Sequence, residues 1–380
     1  MGSEVVELAR ELVALKSVSS GVTDYSVEGH NELGVAARIA RWMEDIGLEP
    51  TTQQASPHRV NVYATTPSDT SAPPILFEAH TDTVSAEGWP DAWNPIVRDG
   101  RLYGRGACDT KGSMAAMLVA LKRVMSEGTP KRPVLFLGAC GEENGFVGSK
   151  AWATLGMQAE CGVVGEPTRL EIVRAHKGAA RWFVRTRGTS AHSSLRDQGV
   201  NAIVRMSKVI LCFERFQRDV LDNRRHELLG KGTLSVGTIH AGQAVNIVPD
   251  LCEIQVERRL LPDETAEGAW AEMEHALADD QEIDFEVEAV LKREPLPPLE
   301  TPEDHAVVSA ARRACEKVLG TARVSGAPYA TDATVYADMG IPCIVLGPGD
   351  SAQAHTVGEY VEIEQLERAV EIYCSIMKGD

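Results

Sequence analysis

Four short apolar runs constrain this chain most, because each leads to side chains that can do chemistry. Ile75-Leu76-Phe77 delivers His80 and Asp82 in the stretch EAHTDTV, and the run from Val134 to Cys140 delivers the adjacent acids Glu142 and Glu143. Residues 161–164 lead to Glu166, and residues 341–346 lead to a loop that carries His355. Runs of this length, bounded by Gly, Pro and Asp, read as buried strands, with a further strand at 60–65. Helical spacing appears between them. It covers 4–16, then 28–46 with Val35, Ile39, Trp42, Met43 and Ile46 before Gly47, and a segment with Met114, Met117, Leu118, Leu121 and Val124 on one face. More helices are expected at 148–155, 303–318 and 363–377. Such alternation predicts α/β layers around a largely parallel or mixed sheet.

The pattern changes near Lys177. AARWFVRTRG alternates, with Trp182 and Val184 on one face and Arg181, Arg185 and Arg187 on the other, which reads as a half-exposed strand. A long amphipathic helix follows from Ala202 to Phe216. Strands at 233–239 and 251–259, a helix at 264–278 and a strand at 283–290 complete a β-α-β-β-α-β order, the ferredoxin-like plan. The Pro-rich segment EPLPPLETPED (294–304) returns the chain to the first pattern. At 380 residues the chain exceeds one ordinary core. The expected division is a discontinuous catalytic domain, 1–176 and 293–380, interrupted by an inserted α+β domain, 177–292.

Composition excludes some classes of partner. The net charge of −17 opposes binding to nucleic acid or to an anionic membrane. No apolar run approaches the ~20 residues that span a bilayer, and the N-terminus lacks the basic segment of a signal peptide. Eight cysteines are scattered without a Cys-x-x-Cys, several inside apolar runs, as expected of buried free thiols in the cytoplasm.

Each polar group also has a bland reading. A His-x-Asp at a strand end is commonly a hydrogen-bonded structural pair, and two acids in a Gly-rich turn can form a solvated loop. The glycines of GRGACDTKGS hint at a dinucleotide fingerprint, but Asp109 occupies the third glycine position and would repel a pyrophosphate. What favours a metal site is the accumulation: His80, Asp109, Glu143, Glu166 and His355 are all expected after apolar strands. In an open α/β sheet the crevice at the carboxyl ends of the strands is where ligands bind. Imidazole and carboxylate donors suit zinc, and an acid shared by two ions holds them ~3.5–4 Å apart.

HTDTV, GRGACDTKG, the Glu-Glu pair, GEPT, VRAHKG, SAHSS, VNIVPD, ERRLLP and GPGDSAQAHTVGEY together resemble the di-zinc amidohydrolase family of acetylornithine deacetylase and succinyl-diaminopimelate desuccinylase, in order from about residue 5 to 375. GEPTRLEIVRAHKG is closest to the acetylornithine deacetylase branch. The resemblance implies a mixed-sheet zinc-hydrolase catalytic domain with an inserted ferredoxin-like dimerisation (lid) domain. It implies two Zn²⁺ per subunit, with Co²⁺ or Mn²⁺ as substitutes. His80, Asp109 and Glu166 would hold one ion, and Asp109, Glu143 and His355 the other. Asp82 would orient His80, and Glu142 would be the general base. It further implies that the Asp109–Thr110 peptide is cis.

In the inserted domain the resemblance makes His192 an oxyanion-stabilising residue reaching across a homodimer, Asn246 a substrate contact and Arg259 the binder of the substrate α-carboxylate. Taken alone, His192 reads as a turn residue, Asn246 as a turn cap and Arg259 as a solvated arginine. Period two places Arg259 opposite the apolar face of Ile254 and Val256, and places Arg258 on that face unless the strand ends first. Asp332 reads either as a ligand for a substrate amine or, slightly favoured, as the cap of the next helix. The family usually has glycine where Ala79 stands, and the segment around Asp332 departs from the acetylornithine branch.

The expected activity is hydrolysis of the amide bond of a small N-acyl-L-amino acid, with N-acetylornithine as the best single guess. The alternatives are succinyl-diaminopimelate desuccinylase and a broad N-acyl-amino-acid hydrolase or dipeptidase. A non-catalytic binding protein on the same fold would be expected to lack a ligand or the Glu-Glu pair, and this sequence lacks none.

Overall fold

A computed structural model describes residues 3–19, 24–27 and 29–379. The chain divides into two compact units: Met1–Arg174, Thr301–Ser325 and Thr331–Asp380 form the first, and Ala175–Glu300 with Gly326–Ala330 form the second. Residues 293–300, expected to lie with the first part of the chain, belong to the second unit.

The first unit is built on a mixed sheet. Its strands run in the order Thr51–Ser56, Arg59–Thr65, Val134–Ala139, Ile75–His80, Cys161–Val164 and Cys343–Val345. The last four are mutually parallel, and the first two pair antiparallel at one edge. Parallel strands need both faces covered, which is why VLFLGA and CGVV are buried throughout. Alternate residues Ile75, Phe77 and Ala79 enter a core made with helices Glu4–Ala14, Leu33–Asp45, Lys111–Ser126, Ala306–Leu319 and Ile363–Lys378. Helices Val147–Ala153 and Ala333–Asp338 meet elsewhere through Trp152 and Tyr336, whose rings lie edge to face at 5.6 Å.

Some elements differ from expectation. The second helix starts at Leu33 rather than 28, and Glu28 lies outside the described residues. The polar strand Thr51–Ser56 and the strand Ile172–His176 were not anticipated, whereas the helix expected after Asp332 is Ala333–Asp338. TTQQAS is an edge strand formed by backbone pairing to Arg59–Thr65, and it carries no apolar signal. Among the described residues no helix is long and apolar enough to cross a membrane, and all eight cysteines are free and buried.

The second unit has a four-stranded antiparallel sheet in the order Thr233–Ala241, Leu251–Leu260, Gly178–Arg187, Val287–Leu291. Numbered along the chain this is 2-3-1-4, with helices Ala202–Asp219 and Ala266–Asp279 as the two crossovers of the β-α-β-β-α-β plan. Ala180, Trp182, Val184, Ile254 and Val256 form its core with the two helices. The strand continues to Leu260, so Arg258 does point into this core. It is fully buried, donates to Glu264 at 2.5 Å, Glu272 at 2.7 Å and the Ala269 carbonyl at 2.9 Å, and lies over Phe216. Removing one partner of a buried ion pair strands the other's charge. Arg258→Ala is therefore expected to destabilise this unit by about 3–5 kcal/mol. Chemical denaturation followed by the fluorescence of Trp182 and Trp270, whose rings are 5.7 Å apart, reads this out; an unshifted midpoint would show that the pairing has no net worth.

Candidate metal centre

The carboxyl ends of the four parallel strands point their chains at one place. His80 is the last residue of its strand. Glu142 and Glu143 open a 3-10 turn, Glu142–Asn144, just after Val134–Ala139. Glu166 follows Cys161–Val164 by two residues, and His355 lies beyond Cys343–Val345 and the turn Ser351–Gln353.

Asp109 arrives differently, which corrects the expectation that all five groups follow apolar core strands. Its segment leaves Arg101–Tyr103, a strand of a separate three-stranded sheet, and ends at the start of helix Lys111–Ser126. The Asp109–Thr110 peptide is cis.

The five side chains converge. His80 Nε2 lies 2.9 Å from Asp109 Oδ1 and 3.8 Å from Glu166 Oε1. His355 Nε2 lies 2.8 Å from Glu143 Oε1 and 3.3 Å from Asp109 Oδ2. Asp109 thus turns one oxygen to the His80–Glu166 group and the other to the Glu143–His355 group. Donor atoms of His80, Asp109 and Glu143 all lie within 4.8 Å of one another. Two ligands ~2.0–2.1 Å from one tetrahedral ion sit about 3.3 Å apart, so these separations fit a shared cation. His80 is 2% exposed, whereas the His355 side chain is 53% exposed, which marks the open side of the cluster.

The electrostatics agree with that fit. Burial and then neighbouring acids push the Glu166 and Glu142 carboxyls well above their usual range, and burial raises Glu143. Hydrogen bonds to Asp109 and Glu143 push the His355 imidazole up to about 10. Burial opposes ionisation of Asp109, but its bonds to His355 and His80 hold it below the usual carboxylate range. The field stabilises positive charge, and imidazole with carboxylate is a donor set for borderline divalent metals. The residues present therefore fit divalent cations.

Asp82 orients more than His80. The imidazole Nδ1–H donates to the main-chain carbonyl of Asp82 at 3.0 Å, while the nearer carboxylate oxygen is 3.4 Å away. That bond fixes the ring so that Nε2 is the atom that faces Asp109. The Asp82 carboxylate accepts the amide N–H groups of Glu142 at 3.1 Å and Glu143 at 3.2 Å, and the Ser19 hydroxyl. Behind it stands Arg59, 3.9 Å from Asp82 and bonded to the fully buried Glu32. A Cβ at Gly141, whose φ is 73°, would come within 2.3 Å of the Arg59 guanidinium, so only glycine admits the turn there. Ser19, Glu32 and Arg59 were not anticipated: an isolated serine, acid or arginine far away in sequence carries no signal of this contact.

In Asp82→Asn the new amide would face a backbone N–H that needs an acceptor. Turnover is expected to fall about 10–100-fold, with a smaller loss of metal than in His80→Ala. Parallel kinetics and metal analysis of the two variants check this ranking.

His192, Asn246 and Arg259 lie in the second unit. Ser193 N–H donates to the Asn246 carbonyl at 2.9 Å, and the two-residue strands Ala191–His192 and Ile247–Val248 pair, so His192 and Asn246 are brought together, both exposed. His192 Nδ1 accepts the Ser194 amide at 3.2 Å and caps a 3-10 turn, which leaves Nε2 as its outward N–H. Arg259 lies on the opposite face of its strand from Arg258, half-buried, with its Nε donating to Glu257 at 2.8 Å. Asp332, in the first unit, holds the N-cap position of helix Ala333–Asp338, but its carboxylate makes no capping bond: it accepts the Ser149 hydroxyl, it is 1% exposed, and burial raises it to about 7.

Residues 76–379 match the model of peptidase family M20/M25/M40. The chain is 32% identical over 382 residues to an acetylornithine deacetylase of Klebsiella pneumoniae, covering 98% of this chain and 96% of that protein. An acetylornithine deacetylase of Aliivibrio salmonicida is 29% identical, with 98% of both covered. Among solved structures, the aminopeptidase PepT from Bacillus cereus superposes with a TM-score of 0.82 at 25% identity, covering 99% of this chain and 98% of that one. Taken with the converging ligands, these likenesses mean that the chain belongs to peptidase family M20/M25/M40 and is a metal-dependent hydrolase of amide bonds.

Proposed function

We propose that this enzyme holds two divalent cations, with zinc as the native metal, and removes a small acyl group from an N-acyl-L-amino acid, with N-acetylornithine as the preferred substrate. The carrying observation for two ions is the split role of Asp109, one oxygen toward His80 and Glu166 and the other toward Glu143 and His355. When bound, such a pair lowers the pKa of water and polarises an amide carbonyl. Glu142 takes the proton from the attacking water and returns it to the nitrogen of the breaking C–N bond, so acid and amine leave with protons balanced. Its turn is anchored from below by Asp82.

The acetylornithine assignment rests on the GEPTRLEIVRAHKG run and on the identity to acetylornithine deacetylases. The bond of the buried Asp332 to Ser149 speaks against it as a ligand for a substrate amine. A second reading, a peptidase of short peptides, draws support from the likeness to PepT. We assign substrate carboxylate binding to Arg259, substrate contact to Asn246 and oxyanion stabilisation to the outward Nε2 of His192. The same proposal places the enzyme in the cytoplasm as a homodimer that joins through the second unit. There Ile203, Val204 and Leu211 of helix Ala202–Asp219 stand exposed.

A panel of N-acetylornithine, N-succinyl-diaminopimelate, N-acetylmethionine and a dipeptide tests the substrate. A higher kcat/KM on the dipeptide than on every acylated amino acid would replace the first reading with the second. Mixing His192→Ala with an inactive ligand variant tests the dimer. Partial recovery of activity is expected, and none in demonstrated heterodimers would refute action across subunits.

A further inference from the structure

Glu359 stands four residues beyond His355 and is fully buried. Its Oε1 accepts two successive amide N–H groups, Cys108 at 2.9 Å and Asp109 at 3.0 Å. Its Oε2 accepts from Arg105 Nη1 at 2.5 Å. The backbone adds a further tie, because Gly104 N–H donates to the Glu359 carbonyl at 3.0 Å and Tyr360 pairs with Tyr103. A buried carboxylate persists only where hydrogen bonds and a counter-charge offset its desolvation, and here both are present.

Their placement is what matters. The two amides flank the carbonyl of Cys108, so the carboxylate fixes the peptide plane that leads into Asp109. Asp82 makes the same arrangement under the Glu142–Glu143 turn: two successive amides on one carboxylate, with an arginine beside it. These two ligand-bearing turns thus each have their own buried acid and arginine. As Asp82 ties the His80 segment to the Glu143 turn, Glu359 ties residues 104–109 to the stretch that runs back to His355. His355 has its own support, since Asp350 accepts the Ala352 amide at 3.0 Å and the Arg169 guanidinium, and the Cys108 thiol donates to the Asp350 carbonyl at 3.3 Å.

We propose that Glu359 is a positioning residue that sets Asp109 relative to His355, and so governs affinity for the cation on the Glu143–His355 side more than for the one beside His80 and Glu166. The inference rests on the two-cation reading above. The carboxylate bonds to the two amides and to Arg105. Its effect runs through the amides, whereas His80 ends one core strand and Glu166 follows another, both outside this clamp.

The test is a stepwise Co²⁺ titration of chelator-stripped, full-length protein, followed by calorimetry and visible absorption, for wild type, Glu359→Ala and Glu359→Gln. Wild type is expected to take two ions per chain. Glu359→Ala should weaken the second by about 10–100-fold and the first by less than about threefold. Its kcat should recover at saturating metal, with KM unchanged. Glu359→Gln keeps an oxygen for the amides but turns an NH₂ toward Arg105, so its second-ion affinity should fall between the two. Melting of the metal-free proteins separates a general loss of stability from the predicted selective loss. Two unchanged affinities in folded protein, or equal weakening of both ions, overturn the inference while leaving the two-cation reading in place. Fewer than two ions in wild type overturns both. If Glu359→Ala does not fold, the Glu359→Gln isotherm decides by the same criteria.

Discussion

Glu142→Ala is expected to lower turnover about 10²–10⁴-fold while keeping its metal. The expectation rests on a separation of tasks within one turn. Glu143 lies 2.8 Å from His355 and belongs to the donor set, whereas Glu142 does not. The backbone of both is held by Asp82, and the turn is bounded by Gly141 and Gly145 at positive φ. Truncating Glu142 at Cβ therefore leaves the turn and the ligands in place. Metal content by mass spectrometry, beside kcat, tests both halves. Retained turnover would remove Glu142 as the base, and lost metal would move it into the donor set. Glu142→Gln serves as a second probe, because it keeps the volume and removes the basic oxygen.

Asp109→Ala is expected to have the larger effect on metal. A ligand that faces both groups of donors cannot be lost from one alone. Its removal also leaves the buried imidazole of His80 without its 2.9 Å partner. Outer partners of a ligand are worth about 10–100-fold in affinity, and loss of a shared ligand should exceed that for both ions, with activity falling below detection. Titration calorimetry with Zn²⁺ checks it. A variant that still bound two ions tightly would show that the two donor groups do not share Asp109. Asp109→Asn keeps the shape with one neutral oxygen, and is expected to favour one ion over two.

Much of this centre was legible in the sequence, for a physical reason. A strand buried on both faces must be continuously apolar, so VLFLGA and CGVV announce themselves, and the polar residue that ends such a run stands out. The same logic, extended by period two, separates Arg258 from Arg259. Legibility failed where an element carries no apolar face or where a contact joins segments distant in sequence. The TTQQAS strand has no core face to signal it. Asp332 follows the pattern of a helix cap, yet packing between helices Val147–Ala153 and Ala333–Asp338 gives its carboxylate to Ser149 instead.

The sequence by itself determined the order of donors along the chain and the apolar strands that carry most of them. Those are properties of local composition and period, which a chain cannot hide. Only the tertiary structure decided that Asp109 reaches the cluster from a helix start outside the main sheet and that His80 is oriented by a carbonyl. It likewise decided that Asp82 and Glu359 grip paired amides beneath the ligand turns. The grips of Asp82 and Glu359 depend on hydrogen bonds between residues about 60 to 250 positions apart. Nothing in local spacing encodes such a bond, because its geometry exists only once the sheet and helices have brought the two segments together.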